Sequence, residues 1–351
     1  MESIQELLRK LCKCIVKSDD GLNYITTNKQ ESPTPPKPEK PDLDKFDPNI
    51  PFCIENVGDE PVVFCVYNYY DTARSYCEIS YDNKVWNTYE LKRSSDLRPP
   101  TDISKISLIA LANKGDRVYF KMDDYKYTTG FTIFYFLNDN QGIKVRARGN
   151  IASLNHGKND VYKTNYLEID EAHACCYKNM FYGCTSLTQA PDLPATTLSE
   201  YCYQSMFSKC TSLTKAPVLP ATILARSCYA IMFSECTSLT QAPELPATTL
   251  ASGCYTNMFQ YCTSLVKAPD LLAPIISSDT DYQEMFRGCK SLNYIKCLAT
   301  KVMNSSSSYI RLANWVYDVS STGDFYCIKD TLWRIATDGI PKGWTRHDIT
   351  E

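Results

Sequence analysis

From Cys202 to Leu224 the chain reads CYQSMFSKCTSLTKAPVLPATIL, and nearly the same words begin at Cys176, Cys228 and Cys254. The shared core is Cys-Tyr-x-x-Met-Phe-x-x-Cys-Thr-Ser-Leu, recurring with a strict period of 26 residues. The first three copies continue into Ala-Pro-x-Leu-Pro-Ala-Thr-x-Leu, and a decayed fifth copy runs from Asp281 through Met285, Phe286 and Cys289 to Leu292. A period of this length means that one supersecondary unit stacks on the next and buries a shared core.

The spacing inside a copy suggests what that unit is. Cys202, Met206 and Cys210 fall at i, i+4 and i+8, with Tyr203 and Phe207 as a second stripe beside them. That pattern predicts the buried face of a helix of about two to three turns. Pro217 and Pro220 keep the following segment extended and remove ladder donors, so its strand should be short and irregular. Leu213, Ala216 and Leu224 point inward. A helix and a short strand per repeat, with recurring Leu, is the plan of a leucine-rich-repeat solenoid. Its strand side would form a concave face. The positions there that differ between copies are Gln189, Lys215, Gln241 and Lys267, and then Asp192, Val218, Glu244 and Asp270. These eight are the candidate binding residues.

Upstream, Ile4, Leu7, Leu8, Leu11 and Ile15 lie at helical spacing opposite Glu2, Glu6, Arg9, Lys10 and Lys17. Residues 1–17 therefore read as a short amphipathic helix that needs a partner surface, and so as an anchor. Residues 18–50 form a linker. Its tract at 32–42 carries five prolines and would extend over roughly 30 Å as a semi-rigid spacer. Residues 51–150 change to short β runs: 61–67, 76–81, 85–91, 106–111, 118–120, 131–136 and 143–148. Seven runs in such a length suggest a β-sandwich of immunoglobulin-like size. The solenoid would occupy residues 151–301. Residues 302–351 would close it as a C-terminal cap, with a helix over 309–319 and a core of Trp315, Phe325, Trp333 and Trp344. The fold class expected is thus a β-sandwich followed by a short α/β leucine-rich-repeat solenoid with a cap.

Composition narrows the function. The net charge of −3 argues against nucleic-acid binding, which favours a basic surface. No apolar run is long enough to span a membrane, and Met1–Lys17 lacks the uninterrupted apolar segment of a secretion signal. Seventeen cysteines could suggest a disulfide scaffold. In a helix, however, Cys202 and Cys210 would stand about 12 Å apart, beyond the reach of a disulfide. They read as small buried hydrophobes in the reduced state. Asp123-Asp124, Cys12 with Cys14, Cys175-Cys176 and His173 lack the companions that catalysis or zinc would need. No catalytic residue, metal site or cofactor is expected. Tyr67, Tyr69, Tyr70, Tyr76, Tyr81, Trp86 and Tyr89 could stack on sugars, although alternating aromatics are more often half-buried strand positions.

The MFxxCTSLTxAPxLP unit resembles the BspA-like, Treponema-type leucine-rich repeats of surface proteins carried by gut Bacteroidales and their phages. The approach Arg148-Gly149-Asn150-Ile151-Ala152-Ser153-Leu154 and the ending Asn314-Trp315-Val316 with Gly339-Ile340-Pro341-x-Gly343-Trp344 are similar to the same group. The resemblance implies ligand contact by the repeats and supplies no catalytic residues. With no export signal, it implies a virion surface protein made in the host cytoplasm, a fibre or head/tail appendage. The N-terminal helix would dock on other virion proteins, the repeats would bind a host cell-surface glycan or protein, and the chain would form a homo-oligomer, by preference a trimer. The alternative is a bacterial cell-surface adhesin of the same repeat family.

Overall fold

The computed structural model describes residues 15–17, 23–25, 47–69, 75–94, 108–122, 131–137, 139, 142–154, 175–276, 281–302 and 312–350. The strands, in chain order, are β1 (Ile15–Lys17), β2 (Asn23–Ile25), β3 (Cys53–Asn56), β4 (Val62–Tyr69), β5 (Ser75–Ser80) and β6 (Asn87–Ser94). They continue as β7 (Ile109–Leu111), β8 (Arg117–Met122), β9 (Phe131–Phe136), β10 (Val145–Arg148) and β11 (Leu187–Gln189). The last are β12 (Lys267–Leu271), β13 (Ile275–Ile276), β14 (Tyr294–Cys297), β15 (Lys301–Val302), β16 (Asp324–Ile328) and β17 (Thr345–Ile349).

No α-helix occurs among the described residues, which overturns the α/β leucine-rich-repeat solenoid. The described residues form strands and turns, with a single 3-10 turn over Ile151–Leu154. In the segment read as a helix, alternate N–H groups point in two directions. Gln204, Met206, Ser208 and Cys210 donate back to the carbonyls of Tyr201, Tyr203, Ser205 and Phe207, closing successive β-turns. Between them, Tyr203, Ser205, Phe207 and Lys209 donate out of the unit to Cys228, Ala230, Met232 and Ser234 of the next copy, at 2.8–3.0 Å. The same alternation relates each copy to the one after it.

This ribbon of turns requires a left-handed residue at every fourth position. Tyr201, Ser205 and Lys209 have φ of 58°, 55° and 65°, as do their counterparts Ser227, Ile231 and Glu235 at 51–61°. They occupy the third position of every second turn, which a type II turn reserves for Gly or Asn. The chain places Asn179, Gly183, Gly253, Asn257 and Gly288 at equivalent sites. Ile231 is the costly exception, being β-branched.

Because copies hydrogen-bond to one another, they stack more closely than helices, whose axes need roughly 8–10 Å. The rings of Phe181, Phe207, Phe233, Phe259 and Phe286 form one column with centroids 5.7–5.8 Å apart and planes within 12°. Tyr177, Tyr203, Tyr229, Tyr255 and Tyr282 form a second at 5.4–6.1 Å. The second cysteine of each copy ties the column together. The Cys210, Cys236, Cys262 and Cys289 thiols donate to the carbonyls of Phe181, Phe207, Phe233 and Phe259, at 2.9–3.1 Å. All described cysteines are free, and these four are placed by the bonds their thiols donate rather than by helical spacing.

The opposite side of each coil is extended. As the prolines require, the copies pair there through isolated parallel bridges, Thr197↔Ile223, Lys215↔Gln241 and Gln241↔Lys267. Farther on, β12, β14, β16 and β17 form a parallel four-stranded sheet. The segment read as a cap helix is a sixth coil. Glu284, Phe286 and Gly288 donate to Ala313, Trp315 and Tyr317, while Asn314 and Asp318 hold the left-handed positions. Trp315 replaces the repeat methionine and lies against Tyr282, Phe286, Phe325 and Trp333. Trp344 is also buried, and Trp333 is half-buried.

The other end of the stack is closed by residues 50–154. β3, β8, β5 and β6 pair in one layer, and β6 passes into a second layer with β4, β7 and β9. Phe52, Phe64, Phe120, Phe134 and Phe136 fill the space between. The parallel β4–β6 pair departs from an immunoglobulin-like pattern of antiparallel sheets, and the run 53–56 joins as an unforeseen strand. Tyr67 and Tyr89 belong to the core. Phe134 donates to the Met180 carbonyl and stacks on Phe181 at 5.5 Å, while β10 pairs with β11 of the first coil. One apolar core therefore runs from Phe52 to Trp344. At the N-terminus, Ile15 lies in β1, paired antiparallel with β2, and not in the expected helix. Ile4, Leu7, Leu8, Leu11 and the proline tract fall outside the described residues, as do Asp123, Asp124, His173, Cys12 and Cys14.

The strain at Ile231 predicts that Ile231→Asn raises the unfolding free energy by about 1 kcal/mol, read from chemical denaturation; a lower stability would contradict the turn ribbon. Burial pushes the thiols of Cys228, Cys236 and Cys297 up to about 12, whereas in the unfolded chain they ionise near an ordinary value of about 8.5. The unfolded state thus loses protons first as pH rises. Stability from these groups is full below about pH 8.5 and falls as pH climbs towards 12. The denaturation midpoint should drop steeply over that interval, and a flat midpoint would show that the thiols are not buried.

Candidate binding face

The extended side of the coils presents two rows of outward side chains, because alternate residues point to opposite faces of a strand. Ala268, Leu271, Ile295, Cys297, Phe325 and Cys327 point inward and are buried. In the first row, Lys215, Gln241 and Lys267 follow one another by direct bridges, and the register continues through Tyr294, Asp324 and Thr345. At the other end Gln189 pairs with Arg146, which faces Glu55, which faces Arg117. In the second row Asp192 is bridged to Asn150, and Asp270 continues through Lys296, Tyr326 and His347.

All eight candidate residues lie at the surface, but the structure does not gather them into one site. Gln189, Asp192, Lys215, Gln241, Glu244 and Lys267 are exposed, Val218 is 76% exposed and Asp270 is half-buried. Lys267 and Asp270 join a cluster near the C-terminal end, Gln189 and Asp192 border a different one, and Lys215, Val218, Gln241 and Glu244 occupy the stretch between.

The C-terminal cluster is aromatic and ionic. Lys267 Nζ sits 4.6 Å from the Tyr294 ring centre. Tyr294 lies 5.0 Å from Tyr326, which stacks at 4.5 Å on His347. His347 Nε2 is 2.7 Å from an Asp324 oxygen. Lys296 donates to Asp270 at 2.7 Å, and that bond holds the ammonium above its ordinary range. Burial, and next the Asp270 charge, raises the Tyr294 hydroxyl. Half-exposed rings fixed by neighbouring charges offer stacking surfaces of low conformational entropy.

The second cluster surrounds Glu55, whose side chain is 5% exposed. Arg117 lies 3.2 Å from one oxygen, and Arg146 and Arg148 lie 3.3 Å and 3.6 Å from the other. Burial opposes the Arg117 charge, but Glu55 and Tyr119 more than offset it and hold its guanidinium above the ordinary range. Beside them, burial pushes the Cys53 thiol up to about 12. A neutral thiol is a poor nucleophile, and the same holds along the repeat columns.

Comparison of the chain with protein-family models, curated proteins and solved structures returns no match. The likeness to BspA-like repeats rests on the quoted residues alone. Among the described residues, no group of three or more His, Cys, Asp or Glu could hold a metal ion, and no helix is long and apolar enough to cross a membrane.

Sequence reasoning picked out Lys267 and Asp270 of the first cluster but none of its aromatic residues, and missed the charged groups of the second. The arginines alternate in Arg146-Ala147-Arg148 and oppose an isolated Glu55 in a strand that was not foreseen. Tyr294 and Lys296, just past the decayed copy, and Asp324 and Tyr326, in the segment assigned to the cap, alternate with buried residues. Their period of two was the available signal.

Proposed function

We propose that the protein is a non-enzymatic virion surface protein, a fibre or head/tail appendage, that binds host-surface material with the extended side of its coils. The observation that carries this reading is the alignment of polar and aromatic side chains in register, from Lys215 to Thr345 in one row and from Asp270 to His347 in the other. A linear polymer or extended peptide laid across the coils would meet these groups at regular intervals, and binding energy would accumulate from many weak contacts. The N-terminal segment and proline tract supply the attachment arm. The repeat resemblance, taken without the attachment arm, favours a bacterial surface adhesin as the second reading.

Deleting residues 1–42 should leave a folded, soluble protein that no longer joins particles; incorporation at the normal level would refute the attachment arm. The triple change Lys267→Ala, Tyr294→Ala, Tyr326→Ala should weaken binding to host cells at least tenfold in a pull-down with fluorescently labelled protein. Unchanged binding would remove the C-terminal end of the face from the contact.

A further inference from the structure

The parallel sheet of β12, β14, β16 and β17 ends at β17, which pairs with β16 on one side and with no other strand among the described residues. Thr345 donates to the Gly323 carbonyl, and the Ile349 carbonyl accepts from Lys329. Those two bonds fix the phase of the strand: Thr345, His347 and Ile349 turn their backbone groups towards β16. Arg346 and Asp348 therefore turn theirs away from it, along the open edge. A row of backbone donors and acceptors left open in this way is a template for pairing with another chain.

Charged side chains on an edge either repel a second strand or recruit one, and their signs decide which. Edges guarded against pairing carry charges, lysine above all, that repel an approaching copy. Here one cation and one anion stand symmetrically about His347, in the order Thr345-Arg346-His347-Asp348-Ile349. Arg346 Nε lies 2.7 Å from an Asp348 oxygen, and both side chains stay partly open to solvent. A second β17 running antiparallel, with His347 opposite its own counterpart, sets Arg346 against Asp348 and Asp348 against Arg346. Opposite charges directly across an antiparallel pair are favourable, and like charges are not. The closing segment adds apolar surface beside the strand. It passes the end of β17 where Lys329 meets Ile349, and it then carries Leu332 and Ile335, 97% and 70% exposed.

We propose that β17 pairs edge to edge with β17 of a second copy of this chain, antiparallel and centred on His347, to make a two-fold dimer. The contact is isologous, so it closes at two copies. Arg346 and Asp348 exchange backbone hydrogen bonds with their opposites in two flanking pairs. The two His347 side chains face each other at the closer position between them, where no backbone bond forms. The two four-stranded sheets become one, parallel within each half and antiparallel at the seam. Tyr326 stacks on His347 at 4.5 Å within one copy, so the seam brings the aromatic ends of two outer faces together. Five residues of strand cover less than the roughly 1,200 Å² of a standard interface, and the association is therefore weak, in the micromolar range. It does not depend on what the outer face binds.

Sedimentation velocity of the full chain over roughly 1–100 µM should show association that rises with concentration. Asp348→Arg leaves only cations flanking His347, and Arg346→Asp leaves only anions, so each variant alone should associate at least tenfold more weakly. Mixing the two variants should restore association, because every opposed pair is again a cation against an anion. The double variant Arg346→Asp, Asp348→Arg should associate as the wild type does. A cooperative thermal unfolding transition in each single variant separates loss of the contact from loss of the fold. Wild-type protein that stays monomeric throughout, or folded single variants that associate as strongly as the wild type, overturns the dimer. Single variants that remain apart when mixed overturn the antiparallel register.

Discussion

The alternation of N–H groups along each turn ribbon governs the rest of the molecule. Half of them close β-turns within a coil and half reach the next coil. An α-helix would spend every interior donor on itself and would hold its neighbours at arm's length through side chains alone. Sharing the donors brings the coils within backbone hydrogen-bonding distance. The aromatic columns then stack nearly face to face, and a cysteine, small enough for the gap, can cap the phenylalanine carbonyl of the preceding coil. Burial in that gap keeps the thiols protonated, which accounts for a cysteine-rich chain with no disulfide among the described residues.

Much of the stacking was legible in the sequence, and the secondary structure was not. The strict period revealed equivalent units, and the apolar positions were correctly identified as core: Cys202, Tyr203, Met206, Phe207 and Cys210 are all buried. The error lay in the angle. Residues at i, i+4 and i+8 drift by about 40° per step on a helix, whereas a structure with a true period of four has no drift. The repeat keeps the same spacing without the shifts to i+3 that a helix would need. Asn179, Gly183, Gly253, Asn257 and Gly288 at every fourth place were the second clue, since such residues tolerate left-handed backbone. Propensity was a third, because Cys, Tyr, Phe, Ser and Thr are poor helix formers. The sixth coil escaped notice because tryptophan and valine stand where the copies have methionine and phenylalanine.

The candidate face was legible as a set of variable positions but not as a place. Gln189 and Lys267 are equivalent in sequence, yet one borders a basic cluster on the strand-rich end and the other supports tyrosines from the last coils. What separates them is the identity of the strands next door, β10 in one case and β14 in the other. Those neighbours are supplied by the closing segments, where the repeat gives no guidance. The two ends of one row therefore differ in chemistry, basic at one and aromatic at the other.

Each turn ribbon has a sense of direction, its backbone offering donors towards the C-terminus and acceptors towards the N-terminus. The first coil's acceptors are met by the strand-rich segment through Phe134, and the sixth coil's donors by the closing segment, where Val316 reaches Thr337. Any interior coil presents the same surface above as its neighbour presents below. A genetic duplication of 26 residues would slide in without disturbing either terminus, so the gene can lengthen the reach between the basic and aromatic ends one notch at a time, as a ruler with fixed end-stops.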